Sequence, residues 1–439
     1  MKSFSQMVSM RLAALFALAT VLLLPAGEAR ATITVLDWFR LSASVVKDWD
    51  VVAAPEKADT VRIRPRRYLS SQPLRRVMVL YPRRSSAYDT AMTTILSVLA
   101  DKRINVDFTV VNFQVDDIKG RAALELAEAS NFDLVLSMGS ESTAWLWSNY
   151  RGGKLPVVTV CSKDPVLLGQ ASGYDIGSGS NFAFTSLNMP IDAQMSYVLQ
   201  LRPNLKNLAI LVDANNVSAV QTQATPAREY LRARGVRVID VAVQNPSRVK
   251  QELAAQVRDA VNTMRKNDVE LTNSLFWITG STLLFTEMAT VNEHSFRVPV
   301  LSTVIDVVQE GDDSAVLAVG ISFESNAHLA AIYMADVLDG RRAVGALQVG
   351  VVSPPDVAVS FRKAREIGMR IPFSLFESAT TLFDNDGKLV RSAGLTAASV
   401  TQAATARGAA TTTASPPGGT ATASGAEDVV LAQPSSKSP

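Results

Sequence analysis

Residues 131–162, NFDLVLSMGSESTAWLWSNYRGGKLPVVTVCS, hold the chain to one kind of fold. An apolar run at 132–136 meets a small polar turn at 137–142. A helical stretch over about 143–150 leads to a second β-branched run at 156–160. Parallel strands need a crossover, so two short apolar runs around a helix predict a parallel βαβ unit. The turn is the chemically interesting part. Gly139, Ser140 and Ser142 open a helix just past a strand's carboxyl end, where free backbone N–H groups and hydroxyls can receive an anion.

The pattern then repeats. An apolar run at 275–278, the turn Thr279-Gly280-Ser281, a helical run over 283–293 and a strand at 298–301 copy it. The preceding strands match as well, 76–81 with 207–212 and 106–111 with 236–241. Four anchors recur in order at nearly constant offset: 77 with 208, 106 with 236, 139 with 280, and 156 with 299. Two similar α/β lobes in tandem are expected, each a doubly wound parallel sheet, joined by a multi-strand hinge.

The chain of 439 residues has room for two such lobes and extensions. Its 43 basic and 41 acidic side chains nearly balance, so nothing points to nucleic acid as a partner. Lys2 and Arg11 are the only charges before an apolar run at 12–24, and Ala29-Arg30-Ala31 fits a small-x-small cleavage site. A cleavable signal peptide over 1–31 and a periplasmic mature chain from near Thr32 are expected. No cysteine follows the apolar run, so no lipoprotein anchor is expected. Cys161, the single cysteine, cannot form an internal disulfide and reads as a small buried residue.

Residues 32–71 read as an N-terminal extension: a helix over 32–49 with Leu36, Trp38, Phe39, Leu41 and Val45 on one face, then a basic, Pro-broken linker at 62–67. The first lobe is expected over 72–186 plus 320–346, and the second over 187–319 plus 347–385. Hinges fall near Ser186, Gly320 and Gly350. From 386 to 439 the composition turns to Ala, Thr, Ser, Gly and Pro, with no aromatic after Phe383, and a disordered tail is expected.

Enzymatic motifs are missing. The two histidines, His294 and His328, have no partner at metal-ligand spacing, and there is neither a P-loop nor a G-x-G-x-x-G after a strand. The turn at Gly139 lacks the second glycine of a nucleophile elbow. No enzyme, no metal and no cofactor is expected. What remains is a set of small polar groups at strand ends, which in doubly wound sheets line one crevice. The candidate ligand-binding residues are Tyr81, Ser86, Gly139, Ser140, Ser142, Ser162, Asp164, Asn215, Gly280, Ser281, Ser322 and Phe323.

Over about 74–385 the chain resembles the ABC-transporter substrate-binding proteins of the tryptophan/tyrosine-uptake type, which have the type I periplasmic-binding fold. Lys163-Asp164-Pro165-Val166 with Gly169 resembles that family's Asp-Pro-Val…Gly loop. The stretch from Arg202-Pro203-Asn204 to Leu211 resembles its Pro-Asn-x-Lys strand entry. The segment with Ala364, Ile367-Gly368 and Ile371-Pro372 resembles its closing Ala-x-x-Leu-Gly-x-x-Ile-Pro run. The binding turns depart from the family. Its Gly-Thr-Pro-Ala turn is Gly139-Ser140-Glu141-Ser142 here, its Asp-Asn pair is Gly280-Ser281, and its Gly-Val-Asp-Tyr crossing is Gly320-Ile321-Ser322-Phe323. The resemblance implies a periplasmic solute-binding protein that captures a small polar ligand, an amino acid or related compound, between two lobes. It also implies an ABC permease of the inner membrane as partner. The alternative is a binding-fold sensor or interaction protein of the cell envelope without a transport role.

Overall fold

The computed structural model describes residues 32–54, 58–392 and 395–396. The expected signal peptide, and the chain after residue 396, lie outside the described residues. The compact unit ends at residue 394, and beyond it residues 395–396 form a short strand.

The N-terminal segment departs most from expectation. Instead of a helix over 32–49, strands β1 (Thr32–Leu36) and β2 (Phe39–Ser42) form an antiparallel hairpin, and β3 (Trp49–Ala53) pairs with β4 (Thr60–Pro65). Apolar residues at 36, 38, 39, 41 and 45 satisfy a helical period, but burial alternates at period two: Phe39 and Leu41 face in, Arg40 and Ser42 less so. The expected basic linker lies partly inside β4, where Val61 and Ile63 point inward and Arg62 and Arg64 outward. The arginines are the polar face of a strand.

Strands β3 and β4 extend the sheet of the first lobe. Its parallel part is β5 (Arg75–Tyr81), β6 (Val106–Asn112), β7 (Leu134–Met138), β8 (Val157–Val160) and β9 (Phe182–Ala183). The strand order is β3-β4-β6-β5-β7-β8-β9, with β4 antiparallel to β6. Helices α1 (Ser86–Asp101), α2 (Asp117–Ala129) and α3 (Gly139–Tyr150) connect these strands. Alternation sorts the core. Val77 and Val79 pack with α1 on one face, while Met78 and Leu80 pack with α2 and α3 on the other.

The second lobe repeats the plan. After the short strand β10 (Thr185–Ser186) and helix α4 (Ile191–Leu201) come β11 (Asn207–Asp213), β12 (Arg237–Val243), β13 (Ser274–Ile278), β14 (Val300–Ser302) and β15 (Leu317–Gly320). The order β12-β11-β13-β14-β15 is all parallel and matches β6-β5-β7-β8-β9 strand for strand. Between β11 and β12 lie α5 (Val217–Ala219), a π-helical turn over Val220–Ala224, and α6 (Thr225–Arg232). Helix α7 (Val249–Met264) precedes β13. The helix expected over 283–293 is two pieces, α8 (Thr282–Phe285) and α9 (Met288–His294); Thr286 closes α8, and its hydroxyl donates to the Leu283 carbonyl.

The chain returns through α10 (Phe323–Leu338), whose Ala327, Ala330, Ala331 and Met334 pack into the first lobe's core with α1. It crosses again at β16 (Gly350–Val351), which runs parallel to β10. Strand β17 (Asp356–Ser360) then joins the second sheet antiparallel to β15. Helices α11 (Phe361–Glu366) and α12 (Phe373–Ser378) follow, then β18 (Thr381–Phe383) and β19 (Leu389–Ser392). Strand β19 lies within the stretch expected to be tail, and pairs antiparallel with β18. Three chain segments thus link the lobes, at 185–188, 320–323 and 350–356. Among the described residues no helix is long and apolar enough to cross a membrane.

Candidate functional site

The carboxyl ends of the two sheets' parallel strands face one cavity. Just past β5, β7 and β8 stand Arg83, Ser140 with Glu141, and Lys163. Just past β11, β13 and β14 stand Asn216 with Ser218, Gly280 and Val304. Phe323, on the crossing into α10, contributes as well. The cavity is partly open to solvent and measures about 70 Å³. At roughly 10–15 Å³ per water, it holds a handful of waters in this state.

The first-lobe wall is built on α3. The helix opens at Gly139 with no side-chain cap on its first N–H groups, which leaves the positive end of its dipole at the cavity. The Ser140 hydroxyl accepts from the backbone N–H of Lys163 at 2.9 Å and so ties the β7 turn to the β8 turn. Glu141 pairs with Arg83, Nε to Oε2 at 3.2 Å, and both side chains are about half exposed. Such a pair contributes little to stability but neutralises both charges locally. Tyr88 lays its hydroxyl over Gly139, and burial raises its phenol well above the ordinary range.

Lys163 is the residue that the strand-end reasoning overlooked. The chain turns sharply after β8, with Cys161 in the left-handed region at φ 54°. The Asn326 Oδ1 holds that turn by accepting from the Cys161 N–H at 2.8 Å. The Lys163 side chain then crosses the cavity to the second lobe. It is 6 % exposed, and its ammonium lies so close over Gly280 that a Cβ there would overlap Nζ. Burial pushes the Lys163 ammonium down to about 8. Among the described residues no ion pair involves it, and the titratable neighbour that acts on it is Cys161. Burial pushes that thiol far up, so it is neutral at ordinary pH. Only the absence of a side chain at position 280 could have announced this residue from the sequence.

The second-lobe wall is largely self-satisfied. The Gly280 N–H donates to Gln223 Oε1 at 2.7 Å, and Asn216 Nδ2 donates to the Gly280 carbonyl at 3.3 Å. Asn216 Oδ1 accepts from the Ser218 hydroxyl at 2.9 Å and caps α5 through the Ala219 N–H.

Of the twelve expected site residues, Ser140, Gly280 and Phe323 line the cavity, and Gly139 lies behind the Tyr88 hydroxyl. Tyr81 does not reach it. Its ring is wholly buried against Trp38, Phe39 and Tyr88, and its hydroxyl donates to the Tyr88 carbonyl. Ser86 is exposed at the start of α1, between the lining residues Ser85 and Ala87. Ser142 is buried and bonds Ser137. Ser162 is buried with its hydroxyl unpartnered, outside the lining. Asn215 is exposed and turned toward Asp213 and the Gln244 carbonyl. The Ser281 hydroxyl donates to Asp213, and Ser322 caps α10.

Asp164 is a turn residue. Its carboxylate accepts from the Val166 and Leu167 N–H groups at 2.8 and 3.1 Å and from the Tyr174 hydroxyl. Removing it leaves three part-buried donors without this partner, each worth up to roughly 1–3 kcal/mol. Asp164→Ala is therefore expected to lower stability by about 2–4 kcal/mol in urea unfolding, with Asp164→Asn recovering part of the loss.

No family model matches the chain, and no curated protein sequence matches it. Solved structures do. A conserved domain protein from Vibrio cholerae is 16% identical with a TM-score of 0.56, over 70% of this chain and 99% of that one. An ABC domain from Streptococcus pneumoniae, solved in complex with L-Trp, is 18% identical with a TM-score of 0.55, over 70% and 100%. A substrate-binding protein with adhesive properties from Clostridium difficile, in its ligand-free, open structure, is 18% identical with a TM-score of 0.53, over 70% and 97%. At these identities the likeness concerns the fold. Two parallel-dominated α/β lobes of equal strand order, linked by three segments, form a type I periplasmic binding protein fold.

Proposed function

We propose that this protein is a solute-binding protein of the cell envelope. It captures a small polar ligand between its lobes and delivers it to an ABC permease of the inner membrane. The observation that carries this is the cavity, walled from both lobes by the loops at their strands' carboxyl ends. A ligand there touches both halves, so it favours the closed arrangement over the open one. The L-Trp held by the Streptococcus pneumoniae neighbour motivates amino acids as one arm of a test. Export through the signal peptide expected over 1–31 belongs to the same proposal, as does a binding rather than catalytic role. Neither histidine lines the cavity, so Ser140 has no imidazole base beside it there.

The test is a thermal-shift screen of the full chain against amino acids, small carboxylates, nucleosides and purines. A ligand at 100 times its dissociation constant stabilises the closed fold by about 2.7 kcal/mol, which raises Tm by a few degrees. Ser140→Ala is expected to weaken a hit about fivefold, through one lost hydrogen bond and a looser Lys163 turn. A panel with no hit would turn attention to the sensor or interaction role, which the small volume of the cavity favours.

A further inference from the structure

We propose that the cavity takes a small, singly charged carboxylate that carries no ammonium group, and that its charge is met by the Lys163 ammonium. The proposal rests on the solute-binding role and names its ligand class.

The inference comes from asking which polar groups in the wall are already spent. Three lining side chains carry charge: Arg83, Glu141 and Lys163. Arg83 and Glu141 neutralise each other. In the second lobe Asn216, Ser218 and Gln223 are engaged with one another and with the Gly280 backbone. Among the charges Lys163 alone is left, a cation 6 % exposed with no carboxylate paired to it among the described residues. Buried lysines are rare unless paired, because desolvation costs several kcal/mol per ion. An anion in the cavity supplies the missing partner, and the uncapped start of α3 adds to the same positive potential.

The same accounting limits the ligand. With one unspent positive charge in the lining, a dianion finds no second cation for its second charge. An amino acid's ammonium finds no unspent carboxylate in the lining, since Asp164 is committed to its turn and Glu141 to Arg83. Asp306, which follows β14 and acts electrostatically on Cys161, has an interaction of its own and lies outside the lining. A volume of about 70 Å³ accommodates roughly four to six non-hydrogen atoms, the size of a short-chain monocarboxylate. Gly280 fits this design. Its missing side chain is the space the ammonium occupies.

The experiment is titration calorimetry on the full chain with acetate, propionate and lactate. Propionamide serves as neutral isostere, alanine as zwitterion, and succinate and inorganic phosphate as multiply charged anions. Monocarboxylates are expected to bind and the others to bind at least tenfold more weakly. Lys163→Met is expected to lower monocarboxylate affinity at least tenfold, and Gly280→Ala to do the same by displacing the ammonium. Without ligand, Lys163→Met is expected to melt higher than the natural chain, because it removes an unpaired buried cation. Only charged Lys163 meets the ionised carboxylate, so affinity is expected to be flat from about pH 6 to about pH 8 and to fall about tenfold per unit above it. Cys161 and Tyr88 stay neutral through that range. The slope vanishes in Lys163→Met. Propionamide or alanine binding the natural chain and Lys163→Met alike sinks the carboxylate proposal and leaves the solute-binding role standing. Tighter binding of succinate or phosphate sinks the single-charge assignment. No binding by any ligand of this panel or of the wider screen sinks both. Should Lys163→Met fail to fold, the pH profile of the natural chain and the Gly280→Ala variant decide the matter.

Discussion

Trp49→Ala is expected to lower the stability of the compact unit by about 3–5 kcal/mol, the range for deleting a large buried aromatic. Trp49 is 1 % exposed, contacts Phe108 with ring centroids 5.9 Å apart, and donates its indole N–H to the Leu96 carbonyl at 3.2 Å. Phe108 lies on β6 and Leu96 on α1, so a residue before the first parallel strand anchors both the sheet and its first covering helix. The change leaves a cavity lined by groups that cannot collapse into it, and the Leu96 carbonyl loses a side-chain donor. Val52→Ala supplies the control. It sits on the same strand at 58 % exposure and is expected to change stability by less than about 0.5 kcal/mol. Urea unfolding followed by tryptophan fluorescence and by circular dichroism measures both. A loss under 1 kcal/mol at Trp49 would mean that β3 and β4 are an appendage. By the same packing, Phe39 and Leu41, buried at 0 and 1 %, together with Val61 and Ile63, make β2, β3 and β4 part of the first lobe's core, so deletion of these strands is expected to abolish cooperative folding.

How much was legible in the sequence follows from this contrast. The parallel strands were legible because each is a short, continuous apolar run buried on both faces, as at 77–81 and 208–212, bounded by polar or turn residues. Their pairing into two equal lobes was legible because Gly139 and Gly280 mark the same turn in each. The N-terminal strands were not, since their apolar residues at 36, 38, 39, 41 and 45 satisfy two periods at once and only the partner strand decides between them. At the cavity, the strand-end rule picked out three lining residues, Ser140, Gly280 and Phe323. It failed where a polar side chain satisfies its own neighbourhood. Asp164, Ser142, Ser281 and Ser322 all sit at the right edge and all spend their hydrogen bonds on the chain. It also missed Lys163, whose direction is set by the left-handed turn at Cys161 and by an asparagine 165 positions later.

That asparagine carries the second large expectation. Asn326→Ala should cost about 3–5 kcal/mol, with much of its effect falling on the link between lobes. Asn326 is wholly buried at the start of α10. Its Oδ1 accepts from the Cys161 N–H at 2.8 Å, and its Nδ2 donates to the Ser186 carbonyl at 3.1 Å. One amide therefore joins the β8 turn, the crossing at β10 and the crossing at α10. Alanine leaves a buried N–H and a buried carbonyl without partners, each worth roughly 1–3 kcal/mol. It also releases the Cys161 turn, which a non-glycine residue holds at positive φ only while its surroundings fix it. The position of Lys163 depends on that turn. Loss of stability in urea should therefore be accompanied by loss of ligand affinity, even though Asn326 does not line the cavity. Asn326→Asp separates the two effects. It keeps the acceptor for Cys161, loses the donor to Ser186 and adds the cost of a buried carboxyl group, so it is expected to retain more affinity than alanine while gaining no stability over it. Equal affinities in the two variants would mean that the turn holds its shape without the amide, and that Lys163 is aimed by the backbone of β8 alone.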